Sequence, residues 1–219
     1  GYLASGADSE PVRQELTGEA IRLARLVHAL LPRDGEATGL LALMLLTEAR
    51  RGTRVGDDGA LVALDEQDRA GWDAALITEG HGLVRERLAA AAAGEAPGRY
   101  QLLAAVNAVH TSARRFADTD WSQVVALYDR LLRLDPSPIV ALNRAIAVAE
   151  LDGPEVGLAL VDALGEPLDG YHALHAARAD LLRRAGRTAE ARAAYDRAIG
   201  LAANSAEVAS LVRRRDRLG

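Results

Sequence analysis

Several residue types are missing or scarce in this chain, and each absence closes off some chemistry. None of the 219 residues is Cys. That excludes disulfides and any metal or redox centre built on thiolates. Lys is also absent, so all 26 basic side chains are Arg, a bias that GC-rich codon usage explains. Aromatic residues make up only 4%. A core must therefore be built from Leu, Ala and Val, and Ala and Leu favour helix. No apolar run approaches the roughly 20 residues that cross a bilayer. The longest, Leu40 to Leu46, has the length of a buried helix segment. No signal-peptide pattern is visible, and together with the missing Cys this points to the cytoplasm. The chain begins Gly1-Tyr2 rather than with Met, so it reads as a piece of something longer or a processed product.

The net charge is −5. Phosphate binding needs clustered positive charge, so a mildly acidic chain is a poor candidate for holding nucleic acid by itself. The local exception is Arg213-Arg214-Arg215-Asp216-Arg217, where cations also complement the dipole at a helix C-terminus.

The most informative signal is a tandem helical repeat. In Ala179 to Ile199 a helix ends at Gly186 and a second carries Ala191, Tyr195 and Ala198 at spacings of four and three. Small residues let two helices approach, and the Tyr fills the gap beside them. Val124, Tyr128, Leu131 and Pro136 repeat the order upstream. Tyr128 and Tyr195 are 67 apart, close to two periods of the roughly 34-residue tetratricopeptide repeat. Gly157, Val161 and Leu164 form a degenerate middle copy. The pairs expected are 120–134 with 137–151, 154–165 with 170–185, and 188–202 with 204–217, the last helix being a cap. Such arrays stack helix pairs around a binding groove.

Upstream, Leu16, Ala20, Leu23, Val27 and Leu30 recur at helical spacing as one amphipathic stripe, after a loop over 1–10 and a start at Ser9 and Pro11. The helix Glu36 to Arg51 is apolar all round at its centre and should sit inside. An irregular loop, with a turn at Asp57-Asp58-Gly59, interrupts the pattern at about 52–71. Further helices follow from Trp72 to Ala93 and from Arg99 to Arg115. The fold class expected is all-α: antiparallel helical pairs, with an N-terminal helical region over 1–116 and a tetratricopeptide-like α-solenoid over 117–219.

The sequence offers little chemistry. His172 and His175 are three apart on one helix, but a zinc site needs further ligands and no His-Glu-x-x-His occurs. Asp65, Glu66 and Asp68 read as caps for the following helix rather than an acid–base pair. Asp57 and Asp58 lack the alternating ligands of a calcium loop. No nucleophile motif, phosphate loop or strand–helix alternation is present. No cofactor, metal or catalytic residue is therefore expected. A polar strip remains. Asn143 and Arg144 interrupt an apolar helix, where a buried Asn must find partners; they tie helices together or hold a partner's backbone or carboxylate. Tyr100, Gln101 and His110, near one helical face, pose the same question.

Several strings also carry a family resemblance: Gly39 to Leu46, Ala49-Arg50-Arg51, Leu64-Asp65-Glu66-Gln67-Asp68-Arg69, Trp72-Asp73, Thr119-Asp120-Trp121 with Leu127-Tyr128, Pro138 to Ala145, and Gly170 to Ala179. In this order they resemble the C-terminal extension of bacterial extracytoplasmic-function sigma factors, of the group whose genes neighbour those of DGPF-type proteins. The resemblance covers nearly the whole chain. It implies a regulatory, non-catalytic domain of a transcription initiation factor. Its partners would be the sigma domains of the same polypeptide and the RNA polymerase core, with no direct DNA binding by this part. The candidate contacts are Arg50, Arg51, Gln67, Asp68, Arg69 and Trp72 in the loop region, Tyr100, Gln101 and His110, and the strip Asn143-Arg144. A free-standing tetratricopeptide scaffold and a helical small-molecule sensor or hydrolase are the rival readings.

Overall fold

The computed structural model describes residues 14–56 and 59–218. The expected loop over 1–10, the start at Ser9 and Pro11, and the Asp57-Asp58 pair lie outside them. The fold is all-α, with eleven α-helices and no strand among the described residues. Two compact units divide the chain. One takes the described residues of 12–54 with 63–135, the other 55–62 with 136–218.

In the first unit, α1 (Gln14–Leu30), α2 (Gly35–Glu48), α3 (Ala74–Ala92), α4 (Arg99–Ser112) and α5 (Trp121–Leu134) pack mainly around α2. α2 is buried from Thr38 to Leu46 apart from Leu40 and Leu43, as its all-round apolar sequence predicts. Glycines set the helix spacing. A Cβ on Gly39 would stand 2.5 Å from the Gln101 backbone nitrogen, and one on Gly80 2.7 Å from Leu46 Cγ. Asp34 caps α2, accepting from Glu36 N and Ala37 N at 2.9 Å. Asp73 does the same for α3, and Asp120 for α5.

α1 does not face as its apolar stripe predicts. Thr17, Ile21 and Ala24 turn inward, and Ile21 and Ala24 join Leu41, Met44 and Leu45 in one cluster. Leu16, Leu23, Val27 and Leu30 stay exposed, with Leu16 at 61% and Leu30 at 70%. α1 presents the edge carrying Ile21 and Ala24 to α2 and keeps most of its Leu and Val side chains outside.

The second unit holds α6 (Pro138–Asp152), α7 (Pro154–Asp162), the short α8 (Gly165–Leu168), α9 (His172–Arg184), α10 (Thr188–Leu201) and α11 (Ser205–Asp216). Consecutive long helices pack on one another, α6 on α7, α7 on α9, α9 on α10 and α10 on α11. Tyr195 is fully buried in one cluster with Ala191, Ala194 and Ala198, the role its spacing predicts. Gly186 turns the chain between α9 and α10 at φ +74°. Gly157 brings α7 against α6, where a Cβ would come within 2.3 Å of Ala149 Cβ.

The division falls elsewhere than the repeat spacing places it. The boundary expected near 116 lies at Asp135-Pro136. α5, expected to pair with α6, packs on α4, and α6 pairs with α7. The loop also contributes to the second unit. Val55 and Leu61 form an antiparallel bridge, and the Leu61 amide donates to the Ala206 carbonyl in α11 at 3.2 Å.

Candidate functional site

The loop region of the first unit gathers the densest polar chemistry. α2 ends at Glu48, and Arg50 follows at the head of a 3-10 turn, Arg51–Thr53. A second 3-10 turn, Arg69–Gly71, is capped by Asp68, whose carboxylate accepts from Ala70 N at 3.0 Å. These turns bring Arg50 and Arg69 to the C-terminal half of α4. Arg50 Nη2 donates to Asn107 Oδ1 at 3.1 Å. Arg69 Nη1 donates to the carbonyls of His110, at 2.6 Å, and Ala113, at 2.8 Å. Free carbonyls at a helix C-terminus carry partial negative charge, and a guanidinium complements them.

Aromatic rings enclose the cluster. Trp72 is 7% exposed and donates from Nε1 to Thr53 Oγ1 at 2.9 Å. The Arg69 guanidinium lies 4.8 Å from its ring centroid, within cation–π range. His110 stands edge-on to Trp121 at 5.3 Å, and Phe116 meets the same indole at 5.2 Å.

The electrostatics are unbalanced. Among the described residues no carboxylate hydrogen-bonds to Arg50 or Arg69. Burial, with repulsion from Arg54 and Arg69, pulls Arg50 down to about 10. Arg69 is lowered by burial, against a smaller pull from Asp118. Burial first, then Arg50 and Arg69, drives His110 down to about 4, so its ring is neutral at pH 7. Arg50 Nε, Arg69 Nη2 and His110 Nδ1 are shut off from solvent without a hydrogen-bond partner. Buried polar groups are normally satisfied.

Four of the residues singled out by sequence thus converge: Arg50, Arg69, Trp72 and His110. The others go elsewhere. Arg51 Nε pairs with Glu48 Oε1 at 2.5 Å. Asp68 is a cap, and Gln67 is half-buried with contacts of its own. Tyr100 and Gln101 open α4, ten and nine residues and roughly 14 Å of helix from His110, so a shared face does not bring them together. Their amides donate to the Glu36 carboxylate at 3.0 and 3.2 Å. Asn143 is exposed on α6 in the second unit, which removes the buried-Asn reading, while Arg144 is half-buried and engaged. His172 faces Glu207 at 3.5 Å and His175 the Asp169 carbonyl at 2.7 Å, so the two rings do not share a ligand position. Sequence reasoning missed Asn107, although it lies one turn before His110. It took Trp121 only as part of a recognisable string.

A second feature of the first unit is a partly open apolar pocket with a cavity volume of about 50 Å³, lined by Leu83, Val84, Leu88, Leu102, Ala105 and Leu127, with Arg87, Gln101 and Arg130 as polar lining.

Comparison with known proteins adds lineage without an activity. Residues 1–88 match a family described as a family of unknown function, DUF6596. The whole chain is similar to "Uncharacterized protein R00370" of Rhizobium meliloti (strain 1021), 44% identical over 218 residues. The chain spans about half the length of that protein. No solved structure matches it.

Proposed function

We propose that this chain is a non-catalytic regulatory and protein-interaction domain of an extracytoplasmic-function sigma factor. It acts in the cytoplasm on the sigma domains of the same polypeptide or on the RNA polymerase core. The observation that carries the interaction reading is the exposed stripe on α1. Leu16, Leu23, Leu26, Val27 and Leu30 stand out of the fold on a helix whose opposite edge is already packed. An aligned apolar face of this kind marks a docking surface. The sigma part rests on the ordered strings of the resemblance. It is supported by a relative of twice the length, which leaves room for further domains. No helix among the described residues is long and apolar enough to cross a membrane, in keeping with a partner in the same compartment.

A two-state docking mechanism suits such a domain. When a surface binds one conformation of a linked module better than another, it shifts the balance by the difference in affinity. The test uses the full-length protein with Leu23→Asp and Val27→Asp together, two changes on an exposed face. Reporter transcription should change at least several-fold while the circular dichroism spectrum does not. The triple change Gln67→Ala, Asp68→Ala, Arg69→Ala probes the loop in the same way. Unaltered transcription from both variants, with normal folding, would overturn the regulatory reading. A gene encoding no sigma domains beside these residues would leave only the scaffold.

The apolar pocket favours one alternative, a sensor for a small apolar molecule. Stabilisation of the wild-type protein by such a ligand, lost on Ala105→Trp, would distinguish it.

A further inference from the structure

We propose that the inner edge of the Arg50–Arg69–His110 cluster is a binding site for a small oxyanion, a carboxylate or phosphate group. Its place does not depend on which macromolecule the chain serves. Two guanidinium groups are brought into one partly enclosed region, and no carboxylate bonds to either among the described residues. Each keeps one buried nitrogen without a hydrogen-bond partner, Arg50 Nε and Arg69 Nη2, and His110 Nδ1 adds a third. The remaining bonds of both arginines hold them to α4, at Asn107, His110 and Ala113. These bonds hold both guanidinium groups beside the end of α4, Arg69 in the closed position.

The chemistry of the three groups selects the ligand. Arginine offers donors only, in a planar fork that matches carboxylate and phosphate oxygens. A neutral imidazole with its proton on Nδ1 supplies a third donor. A water molecule would satisfy some of these bonds but bring no charge, leaving two cations side by side. An oxyanion satisfies the bonds and offsets the burial cost and the smaller repulsion that together pull Arg50 down. The Trp72 ring under Arg69 and the Trp121 ring beside His110 keep the surroundings apolar, where a charge-assisted hydrogen bond is strong. Admission requires the Arg69 side chain, or the short turn carrying it, to swing aside.

The experiment follows the full protein with inorganic phosphate, acetate and chloride at equal ionic strength. Phosphate or acetate should raise the melting temperature over chloride by about 5 °C once in large excess over its dissociation constant. Arg50→Met and Arg69→Met should each abolish the difference. The phosphate and acetate arms separate a phosphoryl from a carboxylate site. A second measurement needs no variant. The protonation midpoint of the His110 ring, read from its NMR resonances, should rise when the anion binds, because a nearby negative charge favours the imidazolium. Equal melting in all three salts together with an unmoved His110 midpoint would mean that the site holds water only, and would overturn the proposal.

Discussion

Ser210 Oγ donates to the Leu61 carbonyl at 2.7 Å, joining residues 149 apart in sequence. Arg213 Nη2 reaches the same oxygen at 3.2 Å. The Leu61 amide returns a bond to Ala206. A short strap from the loop is thus fastened along α11 by main-chain groups, which explains how a segment with no helical pattern holds a defined path. Ser210→Ala removes one bond to a carbonyl that keeps another partner, so the expected cost is about 1 kcal/mol. Amide exchange at Leu61 should quicken, and so should protease cleavage within 55–62. Exchange by mass spectrometry checks this, and an unchanged Leu61 amide would show that the hydroxyl adds nothing to the strap.

Glu36 gives a second prediction. α4 begins after Gly98, which has no side chain to cap it, and the carboxylate of Glu36, in the first turn of α2, takes the Tyr100 and Gln101 backbone amides instead. A cap borrowed from a neighbouring helix ties two elements at once. Glu36→Ala should destabilise the protein by roughly 1–2 kcal/mol. Gly98→Ala should also be harmful, because its Cβ would lie 2.4 Å from Glu36 Cδ. In the Glu36→Ala background the Gly98 change should cost much less. Denaturant unfolding of the two single variants and the double variant measures that coupling.

His110 makes stability depend on pH in a stated direction. Its folded value, about 4, lies below the ordinary 6.5. Between these values the unfolded chain binds a proton that the folded chain does not, so stability falls as pH drops through this window. At about 1.4 kcal/mol per unit the full loss is on the order of 3 kcal/mol. His81, lowered by burial and Arg85, contributes in the same direction. The comparison is therefore between wild type and His110→Gln, melted at several pH values from neutral to about 4. The variant should show a shallower decline. Parallel curves would mean that His110 is protonated as readily folded as unfolded.

The helical architecture was legible because its signals are local. The apolar centre of α2 and the Ala191, Tyr195 and Ala198 spacing each depend on residues a few positions apart. The facing of α1 was not legible. Leu16, Leu23, Val27 and Leu30 form the most apolar stripe, but α2 packs against the edge that carries Ile21 and Ala24. Periodicity reports that a stripe exists, not whether the rest of the chain covers it. The candidate site was half legible. Arg50, Arg69, Trp72 and His110 come from three separate segments, and only folding brings them to α4. Asn143 misled because an Asn between apolar neighbours in sequence still stands outward on a helix.

The strap also bears on how this polypeptide can be cut. Among the described residues the backbone crosses from one bundle to the other three times, at residues 54–55, 62–63 and 135–136. A gene fragment beginning at Pro136 encodes every described helix of the second bundle but omits the piece that fastens to its last one. One encoding only residues 1–135 carries that piece with nothing to fasten to. A stop codon after Asp135 therefore leaves the described part of the first bundle whole with its strap idle, whereas no start codon placed beyond the strap yields the second bundle whole.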